Sequence, residues 1–456
     1  MSTAKSKIKD FTQGSIASQL ITFAFPLFLS NLLQVVYNMV DMIVVGNVLG
    51  KEGLSAVSVG GDVTNLLTFI SMGFASAGQV LIARFIGGRQ EEKIGKFVGT
   101  MCGFLFSCAL ILTVLGLSFQ PAMLQLMNTP PESLEGAQHY ATVCMAGLVF
   151  IYGYNIVSAI LRGMGDSRHP FIFISLAAVM NLVLDIVFVI GFKMGAGGAA
   201  LATVISQGTS FFLCAHFLIR HREAYKLNIR PRDFVRWDQG MLLSLIKLGV
   251  PMAIKSASIM VSKLFVNSFI NAYGVAVSAF AGIAAKLASV SMLVSNAMNT
   301  AGSTVVGQNL AAGKFDRVKK ILLHIAWITL SMASLFSLVL ALFPEKVFGI
   351  FTADAAVMQI ARGYIPIAVL LFFGAAMRAI MNALINGSGH TKINFATAIL
   401  DGIVMRIGLA VLFGLVMHME YTGFWLGDAL AGFTPFFIGL VFYLTGTWKK
   451  QSLREK

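Results

Sequence analysis

Acids and amides recur at helical intervals in a chain that is otherwise apolar. In QVVYNMVD (34–41), Gln34, Tyr37, Asn38 and Asp41 fall at i, i+3, i+4 and i+7, one polar line on a helix that starts near Ile16. In NLVLD (181–185), Asn181 and Asp185 are four residues apart and share a face. Thr203 and Gln207 repeat that spacing. A lone charge at the centre of a bilayer costs about 2.5–3.5 kcal/mol even on the mildest scale, so such residues need a partner or a use. Two carboxyls held in one low-dielectric pocket repel, so at least one should exchange a proton at accessible pH. The same carboxylate, amide and hydroxyl oxygens also suit Na⁺. Either ion would couple a gradient to a motion. Acids merely solvated by headgroups at helix ends are the plainer alternative, which the spaced amides on three runs weaken.

The second half carries the opposite charge. Lys255 and Lys263 lie eight apart on one apolar run, with Asn267 four further on. Lys286, Arg378, and Asp401 with Arg406 follow on later runs, and Asp62 and Asp428 complete the acids within apolar segments. The cations can line a cavity or be consumed in ion pairs. Lys286 is expected to face a cavity; in the paired alternative, Asp401 could neutralise Lys255 or Lys263.

The composition names the elements that must position these side chains. Of 456 residues, 57% are hydrophobic and 12% charged, against roughly 25% charged in a soluble domain. The apolar runs are continuous rather than alternating, which excludes a β-barrel and leaves an all-α polytopic membrane protein. The net charge of +14 sits in short loops between runs, the pattern of orientation in a bilayer rather than of nucleic-acid binding. Cys102, Cys108, Cys144 and Cys214 lie in apolar runs without metal spacing and read as small buried residues. The start, MSTAKSKIKDFTQGS, is polar and basic, and the run after it is too long for a signal peptide. The histidines fall in loops or at helix ends, and AGGAA (196–200) begins a helix without phosphate-loop spacing.

Twelve runs are long enough to cross about 30 Å of hydrocarbon, near 16–45, 54–82, 95–118, 138–161, 169–192, 198–220, 241–270, 277–307, 319–343, 357–384, 394–417 and 422–447. Successive loops alternate in charge, 24 Lys and Arg in one set against 4 in the other. That asymmetry predicts cytoplasmic termini and an inner-membrane protein. A linker over 221–240 divides an N-terminal half, 1–220, from a C-terminal half, 241–456. The halves repeat: Pro26 and Pro251 each lie about ten residues into their first run, LIARFIGGRQEEKIGKF (81–97) matches VVGQNLAAGKFDRVKKI (305–321), and SAILRGMGDSRHP (158–170) matches NALINGSGHTKIN (382–394). The offset stays near 224 residues. Six passes per half give the halves the same orientation, a parallel repeat of the kind alternating-access carriers use. Met260, Met292 and Met298 are candidates to line an adaptable apolar pocket.

Over nearly its full length the chain resembles the multidrug and toxic compound extrusion (MATE) transporters, most closely their DinF-like branch. The resemblance rests on the repeat, on Pro26 and Asp41 in the first run, and on IARFIGGRQ, ILRGMGD and NLVLD. It implies two six-helix lobes and export of amphipathic small molecules in exchange for H⁺ or Na⁺, with H⁺ favoured. It also implies a monomer in the lipid bilayer, with no cofactor and no nucleic-acid partner. Coupling-site roles then map onto Asp41, Asn181, Asp185 and Thr203, which would also hold Na⁺ if Na⁺ is used. Gln34, Tyr37, Asn38 and Gln207 become the supporting polar network and Pro26 the hinge. Lys255, Lys263, Lys286 and Arg406 become cavity candidates, a more cationic set than an exporter of organic cations needs. A flippase for a lipid-linked or anionic amphiphile is the alternative. No HExxH, GxSxG or paired-Asp motif supports an enzyme, and no repeated filter loop supports a channel.

Overall fold

A backbone in hydrocarbon must satisfy its own hydrogen bonds. In the computed structural model the chain does so with helices alone: no strand occurs among the described residues, 6–127, 129–352 and 354–450. Lys5, Arg454 and Lys456, counted above among the basic loop residues, lie outside them. The helices are α1 (Ile16–Gly87), α2 (Ile94–Leu126), α3 (Pro131–Ala146), α4 (Leu148–Gly163), α5 (Arg168–Asp185), α6 (Gly195–Arg220), α7 (Gln239–Asn271), α8 (Val275–Ala311), α9 (Phe315–Leu342), α10 (Pro344–Gly349), α11 (Ala355–Ser388), α12 (Thr391–Ile399), α13 (Arg406–Val411), α14 (Glu420–Ala431) and α15 (Thr434–Leu444).

Among the described residues ten helical stretches are long and apolar enough to span a membrane, and the pair α3 and α4, bent by 49°, makes an eleventh if it is one span. Helix α1 has 72 residues, about 108 Å at 1.5 Å per residue, so it crosses twice. Its break is Gly50, whose φ of 67° and ψ of −162° only glycine adopts easily. The sequence suggested a loop over 46–53, but the helix runs up to both sides of this one residue. The twelfth expected span thus lies within α1, and the multi-pass helical membrane fold is as expected.

The repeat is written in the backbone. Left-handed residues occur in pairs 224 apart: Gly50 and Gly274, Arg89 and Gly313, Gly165 and Gly389. A π turn continues α5 over Ile186–Gly191, and its counterpart Leu412–Val416 follows α13. A further π turn, Leu400–Met405, belongs to the second half alone and contains Asp401.

By packing, the chain groups into two units whose borders differ from the halves of the repeat. Unit 1 is Leu29–Ala253 with the residues up to Asp10, and unit 2 is Phe11–Phe28 with Ile254 onward. The start of α1 therefore belongs with the second half: Phe11, Leu20, Phe23 and Leu27 pack among Ala301, Val305, Ile321 and Leu384. The start of α7 belongs with the first half, where a Cβ on Gly249 would meet Phe74 and one on Gly73 would meet Ala253. Both helices change unit within a few residues of a proline, Pro26 or Pro251. Proline removes one backbone donor and loosens the helix there.

The loops at the basic end of unit 1 are tied together by polar contacts. Gly165, in the left-handed region, turns the chain so that Asp166 caps α5. Asp166 accepts the backbone N–H groups of Arg168 and His169 at 3.1 and 3.2 Å, and its carboxylate meets His169 Nδ1 and the Tyr225 hydroxyl, each at 2.6 Å. Burial pushes this carboxyl up, but hydrogen bonds from His169 and Tyr225 outweigh it and hold Asp166 below the usual carboxylate range. Its contribution is therefore present above the unfolded pKa of about 3.9 and is lost as pH falls through the lower folded value. Asp166→Ala orphans the Tyr225 hydroxyl and two helix amides, and should cost about 1–3 kcal/mol at neutral pH. A thermal-shift series should show the gap between variant and parent closing below pH 3.

The linker lies in a groove on α2 made by Gly95, Gly99 and Gly103. A Cβ on Gly99 would sit 2.5 Å from the Asp233 Cβ, and one on Gly103 would sit 2.1 Å from the Phe234 carbonyl oxygen. Gly103→Ala should lift the linker at a cost of about 1–3 kcal/mol. Limited trypsin digestion should then cut at Arg232 and Arg236 several-fold faster than in the parent, and an unchanged rate would refute this seating.

Candidate functional site

Two polar clusters form, one in each unit. In unit 1, α1 supplies Gln34, Tyr37 and Asp41, all half-buried, while Asn38 is exposed. Helix α5 supplies Asn181 and Asp185, which are buried, the latter at 0% exposure. Helix α6 supplies Thr203, buried Ser206 and Gln207. The Asp41 and Asp185 carboxyls are electrostatic neighbours, with the Tyr37 phenol beside both.

The state of these atoms is the telling feature. Asn181 Nδ2, Ser206 Oγ and Gln207 Oε1 are buried without a hydrogen-bond partner, and Asp41 Oδ1 and both Asp185 oxygens are buried with none beyond the facing carboxyl. Buried polar groups are normally paired, since each orphan costs about 1–3 kcal/mol. Six such atoms on three helices form a buried polar cluster with hydrogen-bonding capacity left over. Thr203 Oγ1 donates to the Ala199 carbonyl at 3.1 Å, which leaves its lone pairs available. The residues fit H⁺ as a transported ion, and two carboxylates, an amide and a hydroxyl also supply oxygens for Na⁺. No group of three or more His, Cys, Asp or Glu suited to a transition metal occurs among the described residues.

Asp185 is the last residue of α5 before the π turn Ile186–Gly191. Such turns widen a helix by one residue and recur at functional sites. Sequence reasoning missed Tyr140 of α3, an electrostatic neighbour of Asp41, and Ser206. Ser206 is three residues after Thr203 and so shares its face, a signal that was available. Nothing in the spacing marked Tyr140 apart from an ordinary core aromatic.

In unit 2 the charges are largely paired. Arg378 of α11 grips Asp401 with both terminal nitrogens, at 2.8 and 2.9 Å. Arg406 donates to Asp401 at 3.5 Å and also binds Asp428 of α14. Of the two alternatives for these cations, pairing holds for the arginines: the Asp401 oxygens are taken by Arg378 and Arg406, whose planar forks match a carboxylate better than a lysine does, and Lys255 and Lys263 are only its electrostatic neighbours. Lys255 instead donates to Asn382 Oδ1 at 2.7 Å. Lys263 is half-buried with no hydrogen bond or ion pair among the described residues, and Lys286 is exposed on α8. Arg406, expected to line a cavity, is buried inside the ion-pair network.

The MatE family description matches residues 26–187 and again 251–412. Each match begins at the proline where a helix changes unit. The chain is 28% identical over 448 residues to the probable multidrug resistance protein YoeA of Bacillus subtilis, covering 97% of this chain and 96% of that one. It is 25% identical over 448 residues to the probable multidrug resistance protein NorM of Thermotoga maritima, covering 96% and 94%. Among solved structures, a MOP superfamily transporter from Pyrococcus furiosus, whose binding pocket of reverse polarity is reported to suggest a different function, superposes with a TM-score of 0.89 at 23% identity, covering 98% and 99%. An outward-facing multidrug resistance MATE family transporter superposes with a TM-score of 0.88 at 23% identity, covering 98% and 99%. With both halves of the repeat matched separately on a helical, multi-pass, two-unit scaffold, the chain belongs to the MatE family of transporters.

Proposed function

We propose that the protein exports amphipathic small molecules by alternating access in exchange for H⁺, with Asp41 and Asp185 as the coupling pair. The reading is carried by the two facing carboxyls, whose buried oxygens have no partner beyond each other. A proton neutralises a carboxyl in a space that need hold nothing larger. Asn181, Thr203 and Gln207 supply further polar atoms around the two carboxyls, and Tyr37 stands beside both from α1. Proton binding removes the repulsion between the acids and so favours whichever conformation brings them together. The gradient can drive cargo only to the extent that the ion and the cargo bind the two conformations with different affinities. Pro26, just before α1 changes unit, is the point at which the helix can bend without breaking a full ladder. The loop charges orient both termini to the cytoplasm.

Purified protein in liposomes should release an amphipathic dye when a pH gradient is imposed and not when a Na⁺ gradient of equal size is imposed. Equal or greater flux with Na⁺ alone would assign the pocket to Na⁺.

One observation favours a second reading of the cargo. The charged cluster of unit 2 sets half-buried Lys255 and Lys263 and buried Arg378 and Arg406 against Asp401 and Asp428. Two more positive than negative groups in this cluster favour an anionic ligand, as in a zwitterionic drug or a lipid-linked phosphate. The transporter of reverse pocket polarity is a parallel. Competition of dye export by anionic and by cationic amphiphiles separates the two cargo classes.

A further inference from the structure

The linker does more than join the halves. We propose that it builds, on the basic side of unit 1, a site for the phosphate of an anionic lipid headgroup in the adjoining leaflet.

A pocket of about 480 Å³ opens there, bordered by Glu92, Lys96, Arg230, Arg232, Asp233 and Arg236. Its acids are outnumbered two to four. Asp233 is buried and already accepts the Arg230 backbone N–H at 2.9 Å, and Lys96 pairs with Asp238 at 2.6 Å. The guanidinium groups of Arg230, Arg232 and Arg236 make no hydrogen bond or ion pair among the described residues, and all three are exposed. Three unspent forks converging on one concavity are what a phosphate requires, since each can donate two parallel N–H groups to its oxygens.

Exposed arginines are usually just solvated, and two features argue otherwise here. First, the backbone that presents them is fixed. Tyr225 is fully buried and bonded to Asp166, Lys226 pairs with Glu91, Asp233 and Phe234 sit in the glycine groove of α2, and the Asp238 N–H donates to Thr100 Oγ1 at 3.2 Å. The backbone from which the three side chains reach is therefore set before any ligand arrives. Second, the arginines are interleaved with Phe234, Val235 and Trp237, exposed at 39%, 81% and 37%. They stand immediately before the membrane-spanning α7. Trp237 leans edge-on against Phe104 of α2 at 5.9 Å. Aromatic and aliphatic side chains beside arginines at a helix entry belong to the headgroup layer, where each basic residue adds roughly 1 kcal/mol of attraction to anionic lipid. A phosphate free in solution has no use for that apolar border, and this decides for a lipid.

The test uses the full chain in mild detergent, titrated with phosphatidylglycerol or phosphatidylcholine and read by native mass spectrometry. The parent should retain at least one more phosphatidylglycerol than R230Q/R232Q/R236Q, with an apparent affinity at least tenfold tighter, and should show no such gap for phosphatidylcholine. R220Q/R222Q/K320Q removes the same charge elsewhere and should bind like the parent. If the first triple variant elutes as aggregate, R232Q alone should show a loss of about threefold. Equal phosphatidylglycerol retention by parent and arginine variant overturns the site. Equal loss in the control variant reduces it to net charge and overturns it too. Displacement of the lipid by millimolar inorganic phosphate would assign the pocket to a soluble anion and refute the lipid assignment.

Discussion

Asp41→Asn should lower pH-gradient-driven export by at least tenfold in proteoliposomes while the protein still elutes as a folded species. The amide keeps the shape of the side chain and removes the carboxyl that α1 brings to the cluster. Asp185→Asn should do the same, and the double variant should be little worse than either single one, because groups that act as a unit are not additive. Asp62→Asn is the contrast. Asp62 is half-buried in α1 beyond the Gly50 break and outside the orphaned cluster, and its loss should leave export within about twofold of the parent. Full export by Asp41→Asn would remove the coupling pair from the mechanism.

The second large effect concerns folding rather than transport. Asp401 is completely buried and receives both Arg378 and Arg406. Asp401→Ala leaves two guanidinium groups facing each other in the interior, and breaking one side of a buried pair costs about 3–5 kcal/mol. Arg406 keeps Asp428, so the penalty falls mainly on Arg378. The double replacement Arg378→Leu with Asp401→Leu removes that orphan and should recover most of the lost thermal stability. A double variant no more stable than Asp401→Ala would mean that the pair is not the element holding α11 to the π turn.

Much of this was legible in the primary structure, for identifiable reasons. Helical spacing places residues on a face, and so Gln34, Tyr37 and Asp41 could be read as one stripe. Asn38 is exposed because it stands about 100° around the helix from Tyr37, at the edge of that stripe. Spacing within one helix does not say which helix comes next to it. Arg378 and Asp401 were both visible as misplaced charges, yet their pairing depends on how α11 packs against the turn at Leu400–Met405, which no intrahelical period encodes. The same applies to Tyr140 beside Asp41. The duplication was visible through its loop motifs, where glycine and basic residues recur. The exchange of helix starts was not, because it depends on which apolar face finds which partner, and apolar faces look alike in sequence.

That exchange has a consequence for ancestry and for dissection. Neither repeat can complete its own bundle, since each lends the opening turns of its leading helix to the other. A half-length forebear with this architecture would have been an obligate twin, two identical polypeptides with their N-terminal segments traded across, and gene fusion would only have tied an already interlocked couple. Severing the present chain between its halves should therefore yield two fragments that are each insoluble when expressed singly and that recover a folded, co-purifying pair when made together.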